Sequence, residues 1–201
     1  MTLLVGIALV LAMLVKAFLV QAFYIPSGSM ENTLRIGDRV LVEKLSYRFG
    51  EIERGDVLVF NGVDSFTPEV ELDEPTNPLV RGARALGGVV GLAPPDERDF
   101  IKRVIGLPGD RVVCCDAAGR ITVDGLPLEE ESYLYPGDNP SDRAFDVTVP
   151  EGRLWVLGDH RSASADSRQH MGEPGGGFVP VDRVIGRAFA VVWPLGHWRF
   201  L

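Results

Sequence analysis

Residues 3–15 carry no polar side chain, and after Lys16 the apolar run resumes through Ala17-Phe18-Leu19-Val20 and Ala22-Phe23-Tyr24-Ile25. A helix of that length crosses the ~30 Å of hydrocarbon in a bilayer. Lys16 can snorkel toward an interface, and Phe23 and Tyr24 fall at the height of an aromatic belt. A cleaved leader is the weaker reading, because no basic stretch precedes the run and Lys16 interrupts it. Residues 1–24 are therefore expected to form one transmembrane anchor, whose orientation charge does not set, since no Lys or Arg comes before it.

Beyond residue 24 the apolar residues fall in short runs between turn signals, with few helical periods, as strands do. Strands are expected at 39–44, 56–60, 100–105, 111–115, 147–149, 153–157 and 184–193, with a hairpin around 121–125 and a short helical turn at 31–34. Gly, Pro and Asp punctuate them, as at Arg54-Gly55 and Leu107-Pro108-Gly109-Asp110. Many short strands and few helical periods mean a mostly β architecture. Residues 61–99 break the pattern with acidic and proline-rich stretches and read as an irregular loop. Within it, residues 79–92 are apolar and Gly-rich, suiting a short helix on the domain or a membrane-surface contact. Residues 129–146 read as an irregular margin and 172–177 as a flexible loop.

Composition narrows the function. The 201 residues are 46% hydrophobic, enough for a real core. A net charge of -8 with no basic stripe excludes nucleic acid as the main partner. The two cysteines, Cys114 and Cys115, are adjacent, which is neither a redox motif nor a zinc spacing. Two small strand residues facing opposite ways is the favoured reading, a bond between them or a thiol reactive outside the cytosol the lesser ones. No metal and no cofactor are expected.

Three segments carry candidate chemistry. In Ile25-Pro26-Ser27-Gly28-Ser29-Met30, Pro26 fixes its own φ and pushes Ile25 into an extended conformation, while Gly28 frees the bend between two serines. The turn should present a hydroxyl, although a Ser/Gly linker fits these residues as well. In the strand at 100–105, alternation puts Phe100, Lys102 and Val104 on one face and Ile101, Arg103 and Ile105 on the other. A lysine between apolar neighbours on a buried face loses hydration, has a lowered pKa and can act as a base. A lysine guarding an exposed edge is the equal alternative. The loop Gly158-Asp159-His160-Arg161-Ser162-Ala163-Ser164-Ala165-Asp166-Ser167-Arg168 follows an apolar strand and is dense in groups able to orient an amine.

Taken in order, these segments and the Arg54-Gly55-Asp56-Val57 turn resemble the bacterial type I signal peptidases across nearly the whole chain. That resemblance implies a membrane-bound serine endopeptidase with a Ser/Lys dyad. Ser29 would be the nucleophile and Lys102 the general base, with the Ser27 hydroxyl and the Ser29 backbone N–H forming the oxyanion hole. Ser164 would orient the lysine, Asp166 and Arg168 would form an ion pair, and Gly158 and Asp159 would shape the adjoining wall. The implied fold is mostly β: an antiparallel catalytic core over 25–201 with a smaller inserted β cap near 107–150, preceded by the N-terminal transmembrane helix. The implied substrates are exported preproteins cut after small residues of the Ala-x-Ala kind. Other implied partners are the lipid bilayer and the secretion translocon, and the implied location is the cell membrane, single-pass, with the catalytic domain on the extracytoplasmic side. Two departures stand out: His160 occupies a place where many relatives carry Asn, and the cysteines are adjacent.

Other classes fit less well. His160, His170 and His197 lack a nucleophile elbow for a Ser-His-Asp hydrolase. A self-cleaving Ser/Lys peptidase needs no anchor, and a tethered β domain that only binds peptides leaves the paired serine and lysine segments unexplained.

Overall fold

The computed structural model describes residues 19–44, 50–67 and 98–201. Among these described residues there are twelve strands: β1 (Val20–Tyr24), β2 (Arg39–Glu43), β3 (Val57–Asn61), β4 (Asp99–Gly106), β5 (Arg111–Cys114), β6 (Ile121–Val123), β7 (Leu126–Pro127), β8 (Phe145–Thr148), β9 (Arg153–Leu157), β10 (Val179–Pro180), β11 (Val184–Trp193) and β12 (Arg199–Phe200). They make two sheets. The larger runs β1-β2-β11-β3-β4-β9-β10 with β12 beside β11, and the smaller runs β7-β6-β5-β8. Every strand pairing in both is antiparallel.

The ten-residue β11 joins the halves of the larger sheet, pairing with β3 through its first residues and with β2 through its last. Register shifts along it bend the strand enough to serve both partners. Gly186 sits at one shift, where a Cβ would run into Glu43 O. The smaller sheet is inserted between β4 and β9 and packs on the larger through Ile105, Val112, Ile121, Phe145, Val149, Trp155 and Leu157. Gly106 lets the two approach, since a Cβ there would strike Val112, Val149 and Trp155.

Two further clusters fill the larger sheet. One gathers Phe23, Ile25, Met30, Leu34, Val40, Val42 and Val191 around β1, β2 and β11. The other gathers Leu58, Phe60, Phe66, Val104, Leu154, Val156 and Val179 around β3, β4 and β9.

The structure revises several expectations. Val20–Tyr24, assigned by hydropathy to the end of the anchor, is the edge strand β1, and Phe23 is buried in the core rather than set in a belt. A run of apolar residues does not distinguish a membrane helix from a strand whose inner face is covered. Among the described residues no helix is long and apolar enough to cross a membrane, and residues 1–18 of the expected anchor lie outside them. So do residues 68–97, including the expected helix at 79–92. The first part of the expected 61–99 loop is ordered: Ser65, Phe66 and Thr67 all return their N–H groups to Gly62 O, and Phe66 packs edge-on against Phe60 and Phe100. Cys114 and Cys115 are joined by a disulfide, against the favoured reading of two free strand residues.

Candidate active site

The turn that follows β1 is pinned from below. Ile25, Met30 and Leu34 are fully buried or nearly so, and Leu34 N–H donates to Met30 O at 2.6 Å. Asp38 closes its far side: its carboxylate accepts from Arg35 N–H at 2.9 Å and lies 3.0 Å from His197 Nδ1. Ser29, expected to be presented to solvent, is only 6% exposed. The apolar residues around it explain the difference, because burying them draws the serine between them inward. Ser27 Oγ lies 3.5 Å from Ser29 Oγ.

Lys102 reaches the same point from β4. It shares a face with Phe100 and Val104, both packed in the β3–β4–β9 cluster, and is 4% exposed. Its Nζ lies 2.9 Å from Ser29 Oγ and donates to Ile101 O at 2.9 Å. Burial lowers its pKa from 10.5 to about 8, an effect partly offset by the carboxylates of Asp166 and Asp159. With a pKa of about 8, roughly a tenth of that amine is neutral at pH 7, enough to accept a proton.

The loop after β9 closes the site. Gly158 N–H donates to Asp166 Oδ2 at 3.0 Å, and Arg168 holds both oxygens of Asp166 through Nε and Nη2 at 2.8 Å each. This pair is almost wholly buried. A Cβ on Gly158 would collide with Ser164 Oγ and Ser29 O, so only glycine lets the loop lie against the serine turn. Ser164 is buried beside them, but its Oγ has no hydrogen-bond partner and makes no bond to Lys102. Asp159 is fully buried and bonds Arg103 through both oxygens, at 2.8 Å to Nε and 2.6 Å to Nη2, and also accepts from Thr33 Oγ1.

Arg103 and Thr33 had no role in the sequence reading. Arg103 points to the opposite face from Lys102, bonds Gly55 O and Thr33, and stacks its guanidinium on Tyr133. One strand thus aims the amine at Ser29 and anchors the serine turn with the next residue. The adjacency of Lys102 and Arg103 in a strand, with Asp159 in the facing loop, was the available signal.

Each of the three histidines has partners other than the Ser29 hydroxyl, which lies within reach of Lys102 and Ser27. His197 bridges Asp38 and Arg35, His170 stacks on Phe66, and His160 lies against Gly28 O and Tyr135. Among the described residues no group of three or more His, Cys, Asp or Glu could hold a metal ion.

Comparison with known proteins shows the family. The family model described as "Signal peptidase, peptidase S26" matches residues 1–193. A signal peptidase I of Mycobacterium tuberculosis is 42% identical over 96% of this chain and 71% of its own length. A probable signal peptidase I of Mycobacterium leprae is 40% identical over 96% and 75%. A solved signal peptidase I from Enterococcus faecalis V583 overlaps at a TM-score of 0.40 and 22% identity, covering 68% of this chain and 96% of that one, which is too loose to add to these matches. The chain belongs to the signal peptidase family, peptidase S26, serine-type peptidases that remove signal peptides from preproteins.

Proposed function

We propose that Ser29 is the nucleophile and Lys102 the general base of signal-peptide cleavage. The observation that carries this reading is the 2.9 Å approach of a buried lysine amine to a buried serine hydroxyl. Neutral Lys102 takes the Ser29 proton as Oγ attacks the scissile carbonyl carbon. The oxyanion accepts hydrogen bonds from the Ser27 hydroxyl and the Ser29 N–H, donors worth about 3 kcal/mol each in comparable sites. The lysine ammonium passes its proton to the leaving amine as the C–N bond breaks, leaving an ester on Ser29. The same amine then deprotonates a water that cleaves the ester. Asp166, Arg168, Gly158 and Asp159 hold the loop against the serine turn, and Ser164, buried beside Gly158, has a free hydroxyl for the amine once it is protonated.

The substrate lies as an added strand beside residues 100–102 of β4. β9 pairs with β4 only from Arg103 onward, so among the described residues no strand covers that stretch on the side of the site. Small residues at the first and third positions before the cut suit a site whose catalytic groups lie this deep. The chain acts at the membrane, anchored by apolar residues ahead of Val20 with the catalytic sheets on the extracytoplasmic side. The exposed Trp193, Leu195, Trp198 and Phe200 beside the serine end of the sheet favour contact with a lipid surface.

In a purified assay on an exported preprotein, Ser29→Ala and Lys102→Ala should each abolish processing while the circular dichroism spectrum stays unchanged. Cleavage by either variant overturns the dyad. Release of the full chain from membranes by alkaline carbonate would overturn the anchor.

A further inference from the structure

His160 makes contacts that the dyad does not account for. Its Nδ1 lies 3.2 Å from Gly28 O and 3.3 Å from Glu31 Oε2, and its backbone N–H donates to Ser29 O at 3.2 Å. Both neighbours of Nδ1 are acceptors, so Nδ1 carries the proton and donates. The ring is held in plane by Tyr135, with centroids 3.8 Å apart and planes 13° from parallel, and its side chain is 17% exposed. Tyr135 is itself fixed, its N–H donating to Asp159 O.

Gly28 O and Ser29 N–H are the two ends of one peptide group. Glu31 N–H already donates to Gly28 O at 3.0 Å, and the imidazole is a second donor on the same oxygen. A hydrogen bond accepted at the carbonyl end polarises the amide and strengthens its N–H as a donor. We propose that His160 is a positioning residue for the oxyanion hole, bonding Gly28 O so that the Ser29 N–H is aimed at, and polarised toward, the developing oxyanion. This rests on the Ser29 N–H being an oxyanion donor. Such a donor is worth about 10²–10³ in rate, and cooperative strengthening of about 10–30% then amounts to about two- to eightfold.

The test uses the purified full chain in detergent with a signal-peptide substrate. His160→Phe keeps the stack on Tyr135 and removes the donor, His160→Ala removes both, and His160→Asn places an amide N–H where Nδ1 stood. The expected result is a fall in kcat of about two- to eightfold for the Phe and Ala variants with KM unchanged, and recovery of the wild-type kcat by Asn. A peptide aldehyde ending in alanine adds a second reading. Ser29 Oγ bonds to its carbonyl carbon and the hydroxyl proton ends on the new hemiacetal oxygen, which occupies the oxyanion position. Its affinity should fall in step with kcat, and the ratio of aldehyde to substrate affinity is insensitive to any unfolded fraction. An unchanged kcat in His160→Phe, or a loss that Asn does not restore, overturns the proposal. Ser27→Ala separates the two readings. If it slows turnover and His160→Phe does not, the oxyanion hole stands and the role of His160 falls; if it leaves kcat unchanged, the Ser27 hydroxyl is no oxyanion donor and the His160 variants alone decide on the Ser29 N–H.

Discussion

Both sheets are tied by arginine–carboxylate pairs, but the pairs differ in where they sit. In the smaller sheet Arg111 and Asp146 meet across β5 and β8 with side chains 62% and 52% exposed, and Arg120 and Asp116 meet in the open at a turn. Around the dyad, Arg168–Asp166 is 7% and 0% exposed, Arg161–Glu130 1% and 5%, and Arg103–Asp159 12% and 0%. An exposed pair exchanges one hydrated state for another and contributes little. A buried pair is expensive to assemble, and removing one member strands a charge. The active-site end therefore trades ease of folding for fixed geometry, and the smaller sheet does not.

The sharpest break of this contrast is at Lys102. Replacing it with Met should lower turnover by about 10⁴-fold or more, the scale seen when one member of a cooperating catalytic set is removed, measured in a purified processing assay. Next comes Arg168→Ala, which leaves Asp166 buried without its partner and should destabilise the fold by about 3–5 kcal/mol in denaturant melts. A change under about 1 kcal/mol would mean that the pair is as dispensable as an exposed one.

The pH dependence follows from the lowered lysine pKa. A base must be neutral, so kcat/KM should fall about tenfold per unit below pH 8 and level off above it. A profile flat from pH 6 to 9 would contradict a lysine base. Stability moves with the same group. Between pH 8 and 10.5 the unfolded chain holds the Lys102 proton and the folded chain does not, so the lysine's contribution to stability rises with pH across that window. Below it the full penalty of burying the charge applies, about 3 kcal/mol for a shift of this size. Lys102→Met should accordingly stabilise the protein by about 1–3 kcal/mol at pH 7, less whatever the lost bonds to Ser29 and Ile101 supplied. The smallest effect belongs to Arg111→Ala, for which no measurable change in the unfolding midpoint is expected at physiological salt.

The sequence was most legible where apolar runs and turn punctuation agreed. β2, β3, β4, β9 and β11 fall within about a residue of the expected strands, because short apolar runs between Gly, Pro or Asp turns leave few other choices. It was least legible where an apolar run had two physical outlets. The residues of β1 read equally well as membrane helix, and pairing with β2 decides between them. Ser29 and Lys102 were candidates in their local settings, each with an equal alternative, and only the resemblance singled them out; the depth of Ser29 depended on Ile25, Met30 and Leu34 sharing one cluster with strands far along the chain. The partners of Asp159 were hidden for the same reason: Thr33 and Arg103 lie 126 and 56 positions away.

One of the buried pairs bears on how this molecule can be cut down. Arg161, in the loop beside the nucleophile, sends its guanidinium into the inserted segment, bonding Glu130 at 2.7 Å and Pro140 O at 2.7 Å, and Ser162 bonds Asp138 from the same loop. A shortened chain with residues 107–150 excised would retain the arginine and lose every one of those acceptors. The insertion is thus no detachable accessory: any minimal version of this peptidase must either keep it or redesign Arg161 along with it.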